Sequence, residues 1–194
     1  MKTVKKFNLP VIFVAIVSPF LLTGLFHGEK DPEKNRQGIL KMRQETLTSL
    51  YNQIPAAEKE IDDALGYAVF NNTGINILVV STANGAGVAH NKNTGDDIFM
   101  KMFSAGGGVG MGVKDFRGIF IFTTQEAFDL FVSDGWQAGA QADAAAKSDE
   151  EGGALATAID VGPGIKLYQI TEKGIALQAT IQGTKYWKDK KLND

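Results

Sequence analysis

Twelve residues, Ser104 to Asp115 (SAGGGVGMGVKD), hold five glycines within seven positions and carry a lysine close behind. A phosphate cradle is the chemistry such a stretch could perform. Gly107 and Gly112 have the outer spacing of a Walker-type loop, but Val113 and Lys114 follow where Lys and Ser/Thr are required. No triplet fits the G-x-G-x-x-G dinucleotide fingerprint. The residues that follow, KDFRGIFIF, read as a turn and a strand, so no helix N-terminus is aimed at a phosphate. Glycines at 106, 108, 110 and 112 recur every second residue, which places them on one face of an extended strand. A face without side chains lets another backbone or a helix approach closely, and Gly108 and Gly110 are expected to serve packing.

Other constellations carry less. His90 sits beside an expected hairpin turn and reads as a solvated loop residue. No serine lies in a G-x-S-x-G elbow. The run from Asn91 echoes a calcium loop but lacks glycine at its sixth position, and its twelfth is Met102. Ser148-Asp149-Glu150-Glu151 reads as a solvated acidic loop. Asp62 and Asp63 are neighbours on an expected helix and do not face each other. With no cysteine in the chain, thiolate metal sites, disulfides and cysteine nucleophiles are excluded. No catalytic residue, metal site or cofactor is assigned, and the expectation is a protein that is not an enzyme.

The elements that would position any site are clearer. Asp31-Pro32 is a helix start, and Ile39, Leu40, Leu47, Leu50, Tyr51 and Ile54 recur at roughly helical spacing, predicting an amphipathic helix to about Gln53. Pro55 opens a second, short helix. Beyond Gly66, the runs GYAVF, INILVVS, GAGVAHN, DIFMKMFS and RGIFIFTT read as short strands broken by Asn and Gly, with HNKNTGDD as a hairpin loop. TTQEAFDLFVSDGW is a compact helix capped by Thr124. The stretch from Gly162 to Trp187 reads as one long hairpin turning at TEKG, with Ile165, Leu167, Ile175, Leu177, Ala179 and Ile181 alternating. The alanine-rich run from Gln137 to Gly153 reads as a strand entering an acidic loop. The fold class is α+β: a single domain with a curved antiparallel, barrel- or sandwich-like sheet of consecutive strands. Helices are expected at one end and one across its face.

At 194 residues with 44% hydrophobic content, the chain can bury a core of one domain. Its N-terminus has the layout of an export signal: Lys2, Lys5 and Lys6, then Leu9–Phe26 without a charge. Residues 1–28 therefore read as a signal peptide or an uncleaved membrane anchor, with the rest delivered to the periplasm or cell envelope. Those residues hold three lysines and no acid, so the remainder has 17 basic against 22 acidic residues, a formal charge of −5. That balance argues against nucleic-acid binding, which needs many phosphate contacts from Lys and Arg. Two clusters are nevertheless basic, Lys30–Arg43 and Lys185–Lys191. Lys41, Arg43, Lys185 and Trp187 are the expected contacts to anionic membrane lipids.

Six blocks in order, GYAVFNNTG, GAGVAHNKNTG, SAGGGVGMGVKDFRGIFIF, TTQEAFDLF, GWQAGAQADAAAK and KGIALQATIQGTKYW, resemble the lipid-binding SYLF domain. The resemblance covers about Ala64 to Lys188. It divides the chain into 1–28, a helical N-terminal segment at 29–63 and a SYLF-like domain at 64–190. It implies a non-enzymatic module that binds membrane lipids; eukaryotic members bind phosphoinositides and some bind actin. In the family an amphipathic N-terminal helix and basic residues contribute to membrane contact, and the helix at 32–54 occupies a similar place. An exported chain would meet neither actin nor phosphoinositides, so only general lipid or envelope binding is implied. The alternative is an exported soluble structural or small-ligand-binding domain that does not contact the bilayer, with the apolar stripe of 32–54 merely covering the sheet.

Overall fold

The structure, a computed structural model, describes residues 31–77, 80–107, 112–137, 158–171, 174–175 and 183–194. The segment at 1–28 that is expected to direct export, Gly108 and Gly110, the alanine-rich run beyond Gln137, and Leu177, Ala179 and Ile181 lie outside them. Asp31–Asp194 forms one compact unit.

Helix α1 spans Pro32–Gln53 and α2 spans Ala56–Asp63. Asp31 caps α1 by accepting from the Glu33 N–H at 3.0 Å, and Pro32 sits where a backbone N–H has no intrahelical partner to lose. The chain then forms β1 (Gly66–Ile77), β2 (Val80–Asn91), β3 (Asp97–Gly107) and β4 (Gly112–Phe122). The Asn91 side chain shapes the β2–β3 turn by accepting from the N–H groups of Asn93 and Thr94, and Gly95 takes φ +79°. Helix α3 (Gln125–Ser133) is capped by Thr124, whose Oγ1 accepts from Ala127 N–H at 3.2 Å. Short strands β5 (Trp136–Gln137), β6 (Ile159–Gly162), β7 (Ile165–Thr171), β8 (Gly174–Ile175) and β9 (Thr184–Lys188) follow, and α4 (Lys190–Asn193) closes the chain.

All strands join one curled antiparallel sheet in the order β5-β9-β3-β2-β1-β4-β7-β6, with β8 paired to β7. The α+β class and single antiparallel sheet agree with the sequence; three details differ. First, GYAVF and the following NNTGINI form one twelve-residue strand. β1 is paired along its length by β2 on one side and nearly all of it by β4 on the other, so the ladder carries Asn71, Asn72 and Gly74 through. Second, the strands are not consecutive across the sheet, because β4 pairs with β1 and not with β3. Third, the stretch expected as one long hairpin also supplies a strand to the other side of the sheet. β7 and β8 pair through Ile170↔Ile175 and Thr171↔Gly174, but β9 lies between β3 and β5.

The helices cover both faces. On the inner face Ala68, Phe70, Phe120, Phe122, Leu167 and Tyr186 pack with Ala127, Phe128 and Phe131 of α3. On the outer face Val69, Ile119, Ile121, Tyr168 and Ile170 meet Leu50 and Ile54 at the end of α1 and Ala57 and Ile61 of α2. Val88 and Phe99 meet Ile39, Leu40 and Leu192, so the first half of α1 and all of α4 share that outer face. Alternation along Ala68–Phe70 and Ile119–Phe122 thus feeds two cores from one sheet, which explains why those two runs are apolar at every position. The apolar stripe of α1 is spent on this contact: Leu50 and Ile54 are buried, and Met42, Leu47 and Tyr51 pack beside them.

Candidate functional site

Strand β9 carries two of the four residues singled out from the sequence. Gly183 takes φ +74°, with no room for a Cβ against the Ala105 carbonyl, and its own carbonyl accepts from Ala105 N–H at 3.2 Å. This close approach starts β9 alongside β3. Thr184 is buried and donates to Ser104 Oγ at 2.9 Å. Tyr186 is buried among aromatic rings, with centroids 4.7 Å from Phe70 and 5.0 Å from Phe120. Burial pushes its phenol pKa well above the usual range. With Thr184 and Tyr186 inward, strand alternation sends Lys185 and Trp187 to the outer face.

There they meet β3. Phe103 lies opposite Lys185 and Lys101 opposite Trp187. Phe103 is 40% exposed. Lys185 is exposed without an ion-pair partner among the described residues, and Trp187 is half-buried. Lys101 reaches Asp189 at 3.0 Å, and the same Asp189 caps α4 by accepting from Lys191 N–H at 3.0 Å. The exposed neighbours Asn84 and Ala105 add no charge to this face.

The α1 pair is placed differently. Lys41 stands in solvent, 3.9 Å from Glu45 one turn along. Arg43 is turned against the sheet, its Nη1 donating to Asp97 Oδ1 at 2.6 Å. His90 Nδ1 is 2.7 Å from the same oxygen, and its ring lies 5.3 Å from that of Tyr67. Burial raises the Tyr67 pKa, Arg43 opposes the rise and Asp97 adds to it. His90 is therefore no solvated loop residue. It belongs to β2 and is part of a clasp joining α1 to the β2–β3 hairpin.

The structure thus places Lys185 and Trp187 together on β9, leaves Lys41 in solvent on α1, and commits Arg43 to an ion pair. It adds Phe103 and Lys101, which the sequence reading missed. Their signal was present: in DIFMKMF, Ile98, Met100 and Met102 alternate with Phe99, Lys101 and Phe103, and a lysine marks the outward set. Also missed were the groups that dock the C-terminus. Asn193 brackets Phe99, its Oδ1 accepting from the Phe99 N–H at 3.0 Å and its Nδ2 donating to the Phe99 carbonyl at 2.8 Å. Arg36 Nε donates to the Leu192 carbonyl at 3.0 Å. Among the described residues no cluster of three or more His, Asp or Glu side chains could hold a metal, and no helix is long and apolar enough to cross a membrane.

No protein-family model matches the sequence. Among curated proteins, the chain is 39% identical over 165 residues to Beta cell expansion factor A of Aeromonas veronii. The match takes in 85% of this chain and spans about three-fifths of the relative's length, 61%.

Proposed function

We propose that this protein is a non-enzymatic lipid-binding module of the cell envelope, of the SYLF type, that engages anionic membrane lipid at its surface. The observation that carries the reading is the pairing of Lys185 and Trp187 with Phe103 and Lys101 on one open face. Cation and aromatic side by side is the composition that suits a membrane interface, where one end of the side chain is wet and the other apolar. The six blocks resembling the SYLF domain support it, and the Aeromonas relative carries most of the same chain.

Vesicle sedimentation of residues 29–194 tests the reading. Binding should be tighter to vesicles containing anionic lipid than to neutral ones and should weaken with salt, because surface charges are screened beyond about 8–10 Å at physiological ionic strength. Equal retention on both vesicle types would reject the charge mechanism. Retention on neither would support the soluble-domain alternative. The export component has its own test: a reporter active only outside the cytoplasm, fused after Asp194, should be active, and activity confined to the cytoplasm would defeat it.

A further inference from the structure

Only two large apolar side chains are exposed among the described residues, Phe103 at 40% and Leu130 at 52%. Their electrostatic settings are opposite. Leu130 lies on α3 four residues after Glu126 and four before Asp134, so one helical face presents it between two carboxylates. Phe103 lies across from Lys185, which has no ion-pair partner among the described residues, and two residues from Lys101, which is paired with Asp189. An anionic surface is repelled at the first position and attracted at the second. The other apolar feature facing outward, the stripe of α1, is already buried on the sheet.

Resting on the lipid reading above, we propose that the bilayer is met by the outer face of the β3–β9 ladder, with Phe103 entering the interface and Lys185 contacting lipid phosphate. Trp187 flanks the entry point at the depth of the headgroups, and the α1 stripe takes no part. The partner is an anionic bilayer. The exposed neighbours Asn84 and Ala105 bring no carboxylate beside Phe103, so an anionic surface can approach there without burying an unpaired acid. Asp189, just past the end of β9, is paired with Lys101 at 3.0 Å.

The test uses the full chain and vesicles of phosphatidylcholine with or without phosphatidylglycerol. Phe103→Ser should weaken binding to the anionic vesicles about tenfold, the cost of withholding part of one phenyl ring from the interface. Lys185→Gln should weaken it about fivefold, one lysine's share of attraction to such a surface. Leu130→Ser should change it less than about twofold. Melting curves of the variants establish that they are folded. A second measurement is independent of these variants: Trp136→Phe leaves Trp187 as the single tryptophan of a chain that has two. Brominated acyl chains should quench its fluorescence in anionic vesicles. If the wild type sediments with anionic vesicles while Phe103→Ser and Lys185→Gln bind as tightly, or while Trp187 stays unquenched, this face is not the contact and lipid binding survives without it. If the wild type fails to sediment with anionic vesicles, the lipid reading itself falls.

Discussion

A single carboxylate oxygen, Asp97 Oδ1, receives both Arg43 and His90, from helix and neighbouring strand. All three side chains are largely shielded, with 20–26% of each exposed. A charged hydrogen bond in such a place is worth more than a surface pair, because breaking it leaves Arg43 unbalanced where water reaches it poorly. Asp97→Asn should lower unfolding free energy by about 1–3 kcal/mol in urea titrations. The exposed pair Lys59–Asp63 provides the contrast: Asp63→Asn should not move the midpoint measurably. Equal effects at the two sites would show that Asp97 anchors nothing. The sequence could not announce this clasp. Arg43 and Asp97 are 54 residues apart, and a histidine near a turn carries no mark of what will fold over it.

Among the elements, helices were legible to the residue at their starts, because caps act locally: Asp31-Pro32 and Thr124 speak for themselves. Strand ends and partners were not, because pairing is decided elsewhere in the chain. The destination of β9 is an example. Its alternation was readable, but its place beside β3 depends on Gly183 fitting against Ala105 and on Tyr186 finding the rings of Phe70 and Phe120. Gly108 and Gly110 lie outside the described residues, but glycine serves close packing on β2, where a Cβ at Gly87 would collide with the Val69 carbonyl and the Phe70 ring. Gly87→Ala should therefore cost at least about 1–3 kcal/mol, since the central strand must shift. Gly118 faces the same inner layer on β4, yet a Cβ there would meet only Leu167 Cδ1 at 3.6 Å and Phe120 Cε2 at 3.9 Å, ordinary contact. Gly118→Ala should be neutral, or stabilising by up to about 1 kcal/mol through reduced chain entropy. Thermal melts that rank the two variants in the reverse order would refute the assignment of Gly87 as the tight contact.

For the whole molecule, a sheet covered on both faces buries tyrosines as well as aliphatic side chains, and the phenols register it. The chain has four tyrosines, and all four have raised pKa values. Tyr51 is pushed up to about 12 by burial, with smaller contributions from Tyr67, Asp62 and Glu58. Tyr168 is pushed up to about 12, first by burial and then by the charge of Glu60 and its hydrogen bond to that carboxylate. In the unfolded chain a tyrosine titrates near 10. Below that pH both states keep their protons, so the contribution of these groups is fully present. As pH rises from about 10 towards 12, the unfolded chain releases protons that the folded chain still holds. Unfolding then becomes more favourable with every step in pH, and this stability is lost as pH rises through the folded values. The protein should accordingly lose stability steeply above pH 10, with tyrosinate absorbance at 295 nm appearing together with unfolding and not ahead of it. Tyr168→Phe separates this from general alkaline damage. At pH 8 the variant should be less stable than wild type, because Glu60 loses its phenol partner, by about 1 kcal/mol. Between pH 10 and 12 the difference should shrink, since the variant has one fewer buried phenol to ionise on unfolding. A wild type that ionises its tyrosines near pH 10 while still folded, or a stability gap that stays constant from pH 8 to 12, would contradict the burial on which the two-faced packing rests.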